Sequence, residues 1–222
     1  MNLFSKLSLT IALTGLLVAC GGAEKAEEAK IEEAENVDGV MDGLGKLGEM
    51  AKGMEEAGKV NEGRVKARRE RGDTVAINYA DLAKYLPSVS GYEPEGGPKG
   101  ETSSNAGFGT SNTKQRYVNG DKYVEISLTD FNSTAGLGSM ALMSYTLAAA
   151  ISSESDEEKL VGFTKSADIK GSQMLRKNTK VAGLNAVITD RFLITIEANE
   201  QTDLEFVKQI LESFDLNKLA AM

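Results

Sequence analysis

The spacing of apolar residues divides this chain of 222 residues into three stretches. Leu7 to Val18 is a predominantly apolar run near the start, and residues 21–73 contain no aromatic residue and few bulky aliphatic ones. From Thr74 onward, apolar residues recur with the alternating and three-to-four-residue spacings of strands and helices. The pattern therefore predicts an N-terminal apolar segment (1–19), a polar stalk (20–73) and one globular domain (74–222).

Six apolar residues of the stalk follow a heptad-like spacing of alternating three- and four-residue steps. They are Val37, Val40, Leu44, Leu47, Ala51 and Met54. Several glycines lie in or beside this track, and each costs a helix interior about 1 kcal/mol relative to alanine. The spacing predicts a marginal amphipathic helix. It serves either as a solvated spacer or as a seam for self-association or membrane-surface contact.

Charge is segregated along the stalk. Residues 21–58 contain 11 acidic and 4 basic side chains, whereas residues 59–71 contain 6 basic and 2 acidic ones. A basic run can bind anionic lipid headgroups or acidic polymers. The alternative, which the sequence favours, is a solvated helix end that pairs with the acidic residues before it.

Three segments of the domain are predicted to be helical. Asn78 caps the first and Pro87 ends it, with Leu82, Tyr85 and Leu86 on the buried face. The second, Leu137 to Ile151, is apolar nearly all round, which predicts burial between layers, and it is too short to span a bilayer. Thr202-Asp203-Leu204-Glu205 matches a capping box and opens the third. Its predicted buried stripe is Leu204, Val207, Leu211 and Phe214.

About six strands are predicted between these helices, over residues 114–118, 121–129, 161–169, 173–176, 181–189 and 192–198. Asn119-Gly120 predicts a hairpin with a type I′ turn, in which both turn residues have positive φ. Further turns are predicted at Lys170-Gly171 and Asp190-Arg191, and the proline-containing residues 87–106 are predicted to be a loop. The predicted fold is α+β: an antiparallel sheet of about six strands with helices packed on one face, preceded by a partly helical stalk. Because the apolar faces predicted within residues 74–222 can cover one another, these residues are expected to fold without the first 73.

Composition removes several classes of chemistry. The chain has no histidine, and therefore no imidazole base, no imidazole metal ligand and no Ser-His-Asp triad. Cys20 is the only cysteine, so an intramolecular disulfide cannot form. The net charge of −8 argues against nucleic-acid binding, whose dominant energy needs clustered lysine and arginine. The sequence predicts no cofactor and no metal site.

Carboxylates remain as candidate catalysts, because a glycosidase needs only two of them. Asp130 and Asp190 are the candidates, since each ends a predicted strand. Acidic residues at strand ends are more often turn residues, so no catalytic residue is predicted. The glycine-rich residues 133–139 do not match a phosphate loop, and the acidic residues 152–158 do not match a calcium loop.

The first residues resemble the signal of a bacterial lipoprotein. Lys6 supplies a basic start, the apolar run has the length of a signal core, and it ends in Leu17-Val18-Ala19-Cys20, which is similar to a lipobox. The resemblance implies that Cys20 receives diacylglycerol, that the chain is cut before it, and that the new amine is acylated, for example by palmitate. Gly21, where aspartate would imply retention in the inner membrane, favours the outer membrane. Loss of Lys6 changes the net charge from −8 to −9.

From about Ile77 to Leu219 the domain resembles an uncharacterised set of bacterial lipoproteins. The residues that carry this resemblance are Asn78–Pro87, Thr129-Asp130-Phe131, Asp190-Arg191-Phe192-Leu193 and Glu212-Ser213-Phe214-Asp215-Leu216. The last thirty residues are also similar to the Mog1/PsbP-like sandwich. Neither resemblance implies an enzyme activity or a catalytic residue.

The sequence thus leads to one expected function and two alternatives. The expected function is a lipoprotein held in the cell envelope by lipid on Cys20, facing the periplasm or the cell surface. Its domain would be a non-catalytic binding module for an envelope protein, an envelope polymer or a small apolar ligand. The alternatives are a carboxylate-dependent hydrolase and a structural lipoprotein that self-associates through its stalk.

Overall fold

The computed structural model describes residues 58–105, 108–132 and 137–222. Predictions for the signal segment, for Cys20 and for the heptad-like track fall outside the described residues. The first described element is a helix, α1, over residues 58–70. It is followed by α2 (Tyr79–Leu82), which continues as one 3-10 turn (Ala83–Tyr85), and by α3 (Leu137–Ala148), α4 (Glu205–Glu212) and α5 (Leu216–Ala220).

Within the described residues, nine strands form one sheet in which every pairing is antiparallel. The strands are β1 (Glu93–Pro94), β2 (Lys99–Asn105), β3 (Phe108–Asn119), β4 (Lys122–Asp130), β5 (Ser152–Glu154), β6 (Glu158–Ser166), β7 (Ile169–Arg176), β8 (Val181–Ile188) and β9 (Phe192–Ala198). Their order is β1-β3-β4-β9-β8-β7-β6-β5, and β2 also pairs with β3. The α+β class and the antiparallel order are therefore confirmed.

The main core lies on one face of this sheet. Ile126 of β4 pairs with Ile196 of β9, which in turn pairs with Leu184 of β8, and all three are buried. Helices α2, α4 and α5 cover this face with Leu82, Val207, Leu211 and Leu219, each buried in the same cluster. The stripe predicted for the C-terminal helix, including Leu204 and Phe214, is confirmed.

The prediction that all helices pack on one face is wrong for α3. Val187 and Leu193 have the opposite parity to the main core and are nevertheless apolar, so they need a cover on the other face. Leu142 of α3 provides it and is buried in a small cluster with them. Ser144 of α3 is exposed, and Ile151, which the prediction includes in the helix, lies beyond its end and is 51% exposed, so this segment is not buried all round as predicted. Of the helices in the described part of the chain, none is long and apolar enough to cross a membrane.

The count of about six strands is too low because β1, β2 and β5 lack an alternating apolar pattern. Strand β2 (KGETSSN) and strand β5 (SSE) lie at or near the sheet edges. Such strands are held by backbone pairing and polar contacts, such as the 2.9 Å hydrogen bond between the hydroxyls of Thr102 and Ser111. Polar edge strands also discourage pairing with other chains. The predicted loop over residues 87–106 is accordingly wrong.

The predicted hairpin between β3 and β4 is confirmed, but its turn is displaced by one residue. Asn119 pairs with Lys122, so the two turn residues are Gly120 and Asp121. Only Gly120 has a positive φ, of 59°, as in a type II′ turn with glycine at the first central position.

The turn predicted at Lys170-Gly171 is wrong, because both residues lie inside β7. The chain reverses three residues earlier, at residues 167–168 between Ser166 and Ile169, which pair with each other. Gly171 is required by packing instead: a Cβ there would overlap the main-chain oxygen of Asn185 on the neighbouring strand.

Of the two helix caps predicted from the sequence, one is formed. The side chain of Asn78 accepts a hydrogen bond from Ala80 N at 3.0 Å, as predicted. The capping box at 202–205 is not formed. Helix α4 begins at Glu205, whose N–H is accepted by the Asp203 side chain at 2.9 Å. The turn predicted at Asp190-Arg191 does link β8 to β9.

The turn makes Gly120→Val a test of the hairpin. A branched side chain at this positive φ is strained, and we expect the free energy of unfolding to fall by about 1–3 kcal/mol. Nothing lies within 4 Å of an added Cβ, so the loss would report backbone conformation and not a clash. Chemical denaturation of the purified protein measures it. Gly120→Asn is the control and should lose less, because asparagine is among the non-glycine residues most often found at positive φ. An unchanged midpoint for the valine variant would contradict the turn.

Tyr117 gives the fold a predictable alkaline sensitivity. Its buried hydroxyl donates to the Pro87 carbonyl at 2.6 Å, and burial raises the pKa of the phenol above its ordinary value of 10.0. Because the folded-state pKa is raised, the neutral phenol contributes its full stabilisation below pH 10. This contribution is lost as the pH rises through the folded-state pKa. Stability should therefore fall more steeply above about pH 10 in the wild type than in Tyr117→Phe. At neutral pH the variant should be about 1 kcal/mol less stable, for the lost hydrogen bond. Parallel alkaline profiles would contradict this.

Candidate functional site

The two predicted candidate carboxylates lie close together at one end of the sheet. Asp130 is the last residue of β4 and pairs with Phe192, and Asp190 is in the turn that leads into that residue. Both are buried, with exposures of 0% and 3%. Each carboxylate is paired with an arginine, so neither faces solvent as a catalytic acid or nucleophile would.

Asp130 has a complete set of donors. Arg191 donates from Nε to Oδ1 and from Nη2 to Oδ2, both at 2.9 Å. The main-chain N–H groups of Ile77 and Asn132 donate to the same two oxygens, also at 2.9 Å. A carboxylate has about four acceptor positions. The geometry therefore gives Asp130 a structural role, joining β4 to the β8–β9 turn and to the chain before α2.

Arg191 extends this cluster towards the predicted stalk. Its Nη1 donates to Asp73 Oδ2 at 2.7 Å, and its guanidinium lies 4.8 Å from the ring centre of Phe192. Burial lowers the pKa of Arg191, but hydrogen bonds and charge from Asp130 and Asp73 outweigh it and leave the pKa above its ordinary value. Asn132 Nδ2 also donates to Asp73 Oδ1, at 2.7 Å. Asp73 is thus fixed to the sheet from two sides.

Asp190 is paired with Arg68 of α1. Nη1 donates to Oδ1 at 3.0 Å and Nη2 to Oδ2 at 2.6 Å, and Arg68 is only 5% exposed. One helical turn earlier, the half-buried Arg64 is paired with Asp168. The basic run therefore pairs with the domain at these positions. The sequence instead favours pairing with the acidic residues that precede it in the stalk, and this prediction is wrong for Arg64 and Arg68.

These contacts cross the predicted boundary between residues 73 and 74. Folding of residues 74–222 alone stays a prediction. Such a chain would nevertheless lack Arg68 and Asp73, and Asp190 would lose its guanidinium partner. The cost of removing one partner from a buried pair is about 3–5 kcal/mol.

A cavity of about 160 Å³ lies beside the Arg68–Asp190 pair. Its lining is Arg64, Ala67, Arg68 and Arg71 of the α1 region, Thr189 of the β8–β9 turn, and Ala220, Ala221 and Met222. The three arginines are spaced i, i+4 and i+7, which places them on one side of a helix. Arg71 lies just beyond α1 and donates from Nη2 to the main-chain oxygen of Met222 at 3.1 Å.

Two features of the cavity wall are costly for the fold. Arg68 Nε is buried without a hydrogen-bond partner among the described residues, and an unmade buried donor costs about 1–3 kcal/mol. Thr189 has φ 57°, which is an outlier for a β-branched residue. Its N–H donates to the Asp168 carbonyl at 2.6 Å, which helps to hold this conformation.

Comparison with protein-family models, with curated proteins and with solved structures finds no match. The site is therefore interpreted from its own chemistry. In the part of the chain that the structure describes, no group of three or more His, Cys, Asp and Glu side chains is placed to hold a metal ion.

Sequence reasoning singled out Asp130 and Asp190 but missed their partners. Arg68 is 122 positions from Asp190, and Arg191 is 61 positions from Asp130. One available signal was the spacing of Arg64, Arg68 and Arg71 along one side of a helix. This spacing indicates that the three arginines face one common surface.

The Arg68–Asp190 pair can be tested by a double-mutant cycle. Arg68→Met leaves the Asp190 carboxylate buried and unpaired, and we expect a loss of about 3–5 kcal/mol in the free energy of unfolding. Adding Asp190→Leu should recover most of it, because the apolar pair no longer buries a lone charge. The matched control is Lys66→Met, on an exposed position of the same helix, with a change of about 0.5 kcal/mol or less. Equal effects of Arg68→Met and Lys66→Met would show that α1 is not docked through this pair.

Proposed function

We propose that this protein is a bacterial lipoprotein of the cell envelope. Residues 1–19 would be its signal, Cys20 its lipid-bearing first residue, and the outer membrane its location. The support is the agreement of Lys6, the short apolar run and the lipobox-like Leu17-Val18-Ala19-Cys20.

The α+β domain is proposed to be a non-catalytic binding module. The observation that carries this part is the closure of Asp130 and Asp190 by Arg191 and Arg68. A carboxylate-dependent hydrolase needs one carboxyl group to donate a proton and another to act as a base or nucleophile. Both candidates are instead buried and paired, which supports binding over hydrolysis.

The docking of α1 supports a module carried at a limited distance from its membrane. Residues 21–57 separate the proposed anchor from the first described residue. Whatever their conformation, these 37 residues reach at most about 130 Å, at ~3.5 Å per residue. A partner of the domain, whether an envelope protein or an envelope polymer, would therefore have to lie within this reach of the membrane.

The anchor is tested with Cys20→Ser. Cells grown with a clickable palmitate analogue should label the wild-type protein in the membrane fraction. The serine variant should lose the label, because serine lacks the thiolate that accepts the lipid. It should also be depleted from the membrane fraction, since acyl chains contribute about 0.8 kcal/mol per buried methylene. Ala23→Ser is the control and should label like the wild type. Equal labelling of Cys20→Ser would refute the anchor.

A further inference from the structure

The Asn119–Gly120 step lies at the tip of the β3–β4 hairpin. It is the single place in the chain where glycine follows asparagine, and both residues are exposed. We propose that Asn119 is a modification site, at which the folded protein spontaneously loses the side-chain amide as ammonia and gains a carboxylate. This inference goes beyond the proposed function, and it depends neither on the lipid anchor nor on the binding role.

The reaction needs only the main chain and water. The Gly120 nitrogen attacks Cγ of Asn119 and loses its proton, while the bond from Cγ to the side-chain nitrogen breaks and ammonia leaves. The product is a five-membered cyclic imide. Water then opens the imide at either carbonyl, which gives aspartate or, with the main chain running through the former side chain, isoaspartate. The balance is one water taken up and one ammonia released, so no oxidant or reductant is required.

Glycine at position 120 leaves the attacking nitrogen accessible. A Cβ on the residue after asparagine would crowd the approach of this nitrogen to Cγ, and glycine has none. Among the described residues, no hydrogen bond from the Gly120 N–H is found, and none involves the Asn119 side chain. The two reacting groups are therefore held by no other polar group of the described chain.

The hairpin is fixed on both sides of this step but not at the step itself. On β3, Val118 pairs with β1 as well as with β4. On β4, the Asp121 carbonyl accepts a hydrogen bond from Asn199 Nδ2 at 3.0 Å. Asn119 has only the terminal pair with Lys122. Ring closure requires Asn119 to leave its extended conformation, and the end of a hairpin opens at a small cost in free energy.

The other exposed asparagines of the described chain lack one or more of these features. The side chain of Asn78 caps α2, and Asn217 lies inside α5. Asn178 is exposed in the turn between β7 and β8, but the β-branched Thr179 follows it. Asn178 is therefore the natural comparison for Asn119, because the two differ chiefly in the residue that supplies the attacking nitrogen.

The two products should affect the hairpin differently. Both add a negative charge at the turn. In the aspartate form the backbone is unchanged, and the new carboxylate lies across from Lys122, an opposite-charge pair that stabilises neighbouring strands. The isoaspartate form has an extra carbon in the main chain, so the terminal pair cannot keep its geometry. This form should unfold at a lower denaturant concentration than Asn119→Asp.

Timed incubation of the purified full-length protein in mildly alkaline buffer with uncharged detergent tests the site. Peptide mass spectrometry follows each asparagine, and chromatography separates the aspartate and isoaspartate peptides, with Asn119→Asp as the reference for the first. In the native protein, Asn119 should convert at least about tenfold faster than Asn178, which corresponds to about 1.4 kcal/mol in the barrier. Asn119→Gln is the matched control. Its longer side chain would have to form a six-membered ring, so this position should stay unchanged over the same period.

A parallel incubation in urea separates the effect of the turn from that of the sequence. Conversion of Asn119 in the native protein, with both product peptides present, supports the proposal. A native protein in which Asn119 stays unchanged overturns it, and the urea sample then shows whether the turn or the sequence prevents the reaction. Equal native rates for Asn119 and Asn178 also overturn it, because exposure and not the following glycine would then control the reaction. Palmitate labelling at Cys20 is read separately, so neither result decides the other.

Discussion

The buried Asp130 carboxylate joins β4 to two distant segments of the chain at one end of the sheet. It receives Arg191 from the β8–β9 turn, Ile77 from the chain before α2 and its own neighbour Asn132. A buried carboxylate with fewer donors would carry a large desolvation cost. Because two of these donors come from segments more than 50 residues away, the carboxylate is satisfied only when both segments are in place. Arg191 then carries the same requirement to Asp73, and so to the residues that follow α1.

Ionic pairing of this kind is a costly way to hold a helix against a sheet. Replacing a buried pair by well-packed apolar residues is often neutral or stabilising. What the charges add here is direction, since a bidentate guanidinium fixes its partner's position and orientation where an apolar contact tolerates sliding. Arg68 on Asp190 sets where α1 lies, and Arg64 on Asp168 sets its rotation. The strained Thr189 lies between these two points, with its N–H held by Asp168.

Much of the fold was readable from the sequence because the main core obeys simple periodicities. Alternation placed Val124, Ile126 and Leu128 on one face, and the helical spacing placed Val207 and Leu211 towards them. Strand β2 escaped because its residues are polar throughout, so its pairing with β3 leaves no periodic trace. Gly171 was misread as a turn because glycine has two uses, and only the neighbouring strand decides between them. The arginine–aspartate pairs could not be predicted for another reason. Charged residues are expected to be exposed to solvent, and pairing between residues far apart in the sequence leaves no local pattern.

The position of the cavity gives these pairs a consequence beyond stability. It is built from α1 on one side and from the β8–β9 turn and the end of α5 on the other, so it exists only while α1 is docked. Any ligand that binds there binds the docked form alone, and by mass action it stabilises that form. The relation is reciprocal: whatever raises the fraction of molecules with α1 docked lowers the apparent dissociation constant of such a ligand in proportion. Because α1 is docked through Arg64 and Arg68, their pairs with Asp168 and Asp190 would set the fraction of molecules in which the cavity is present.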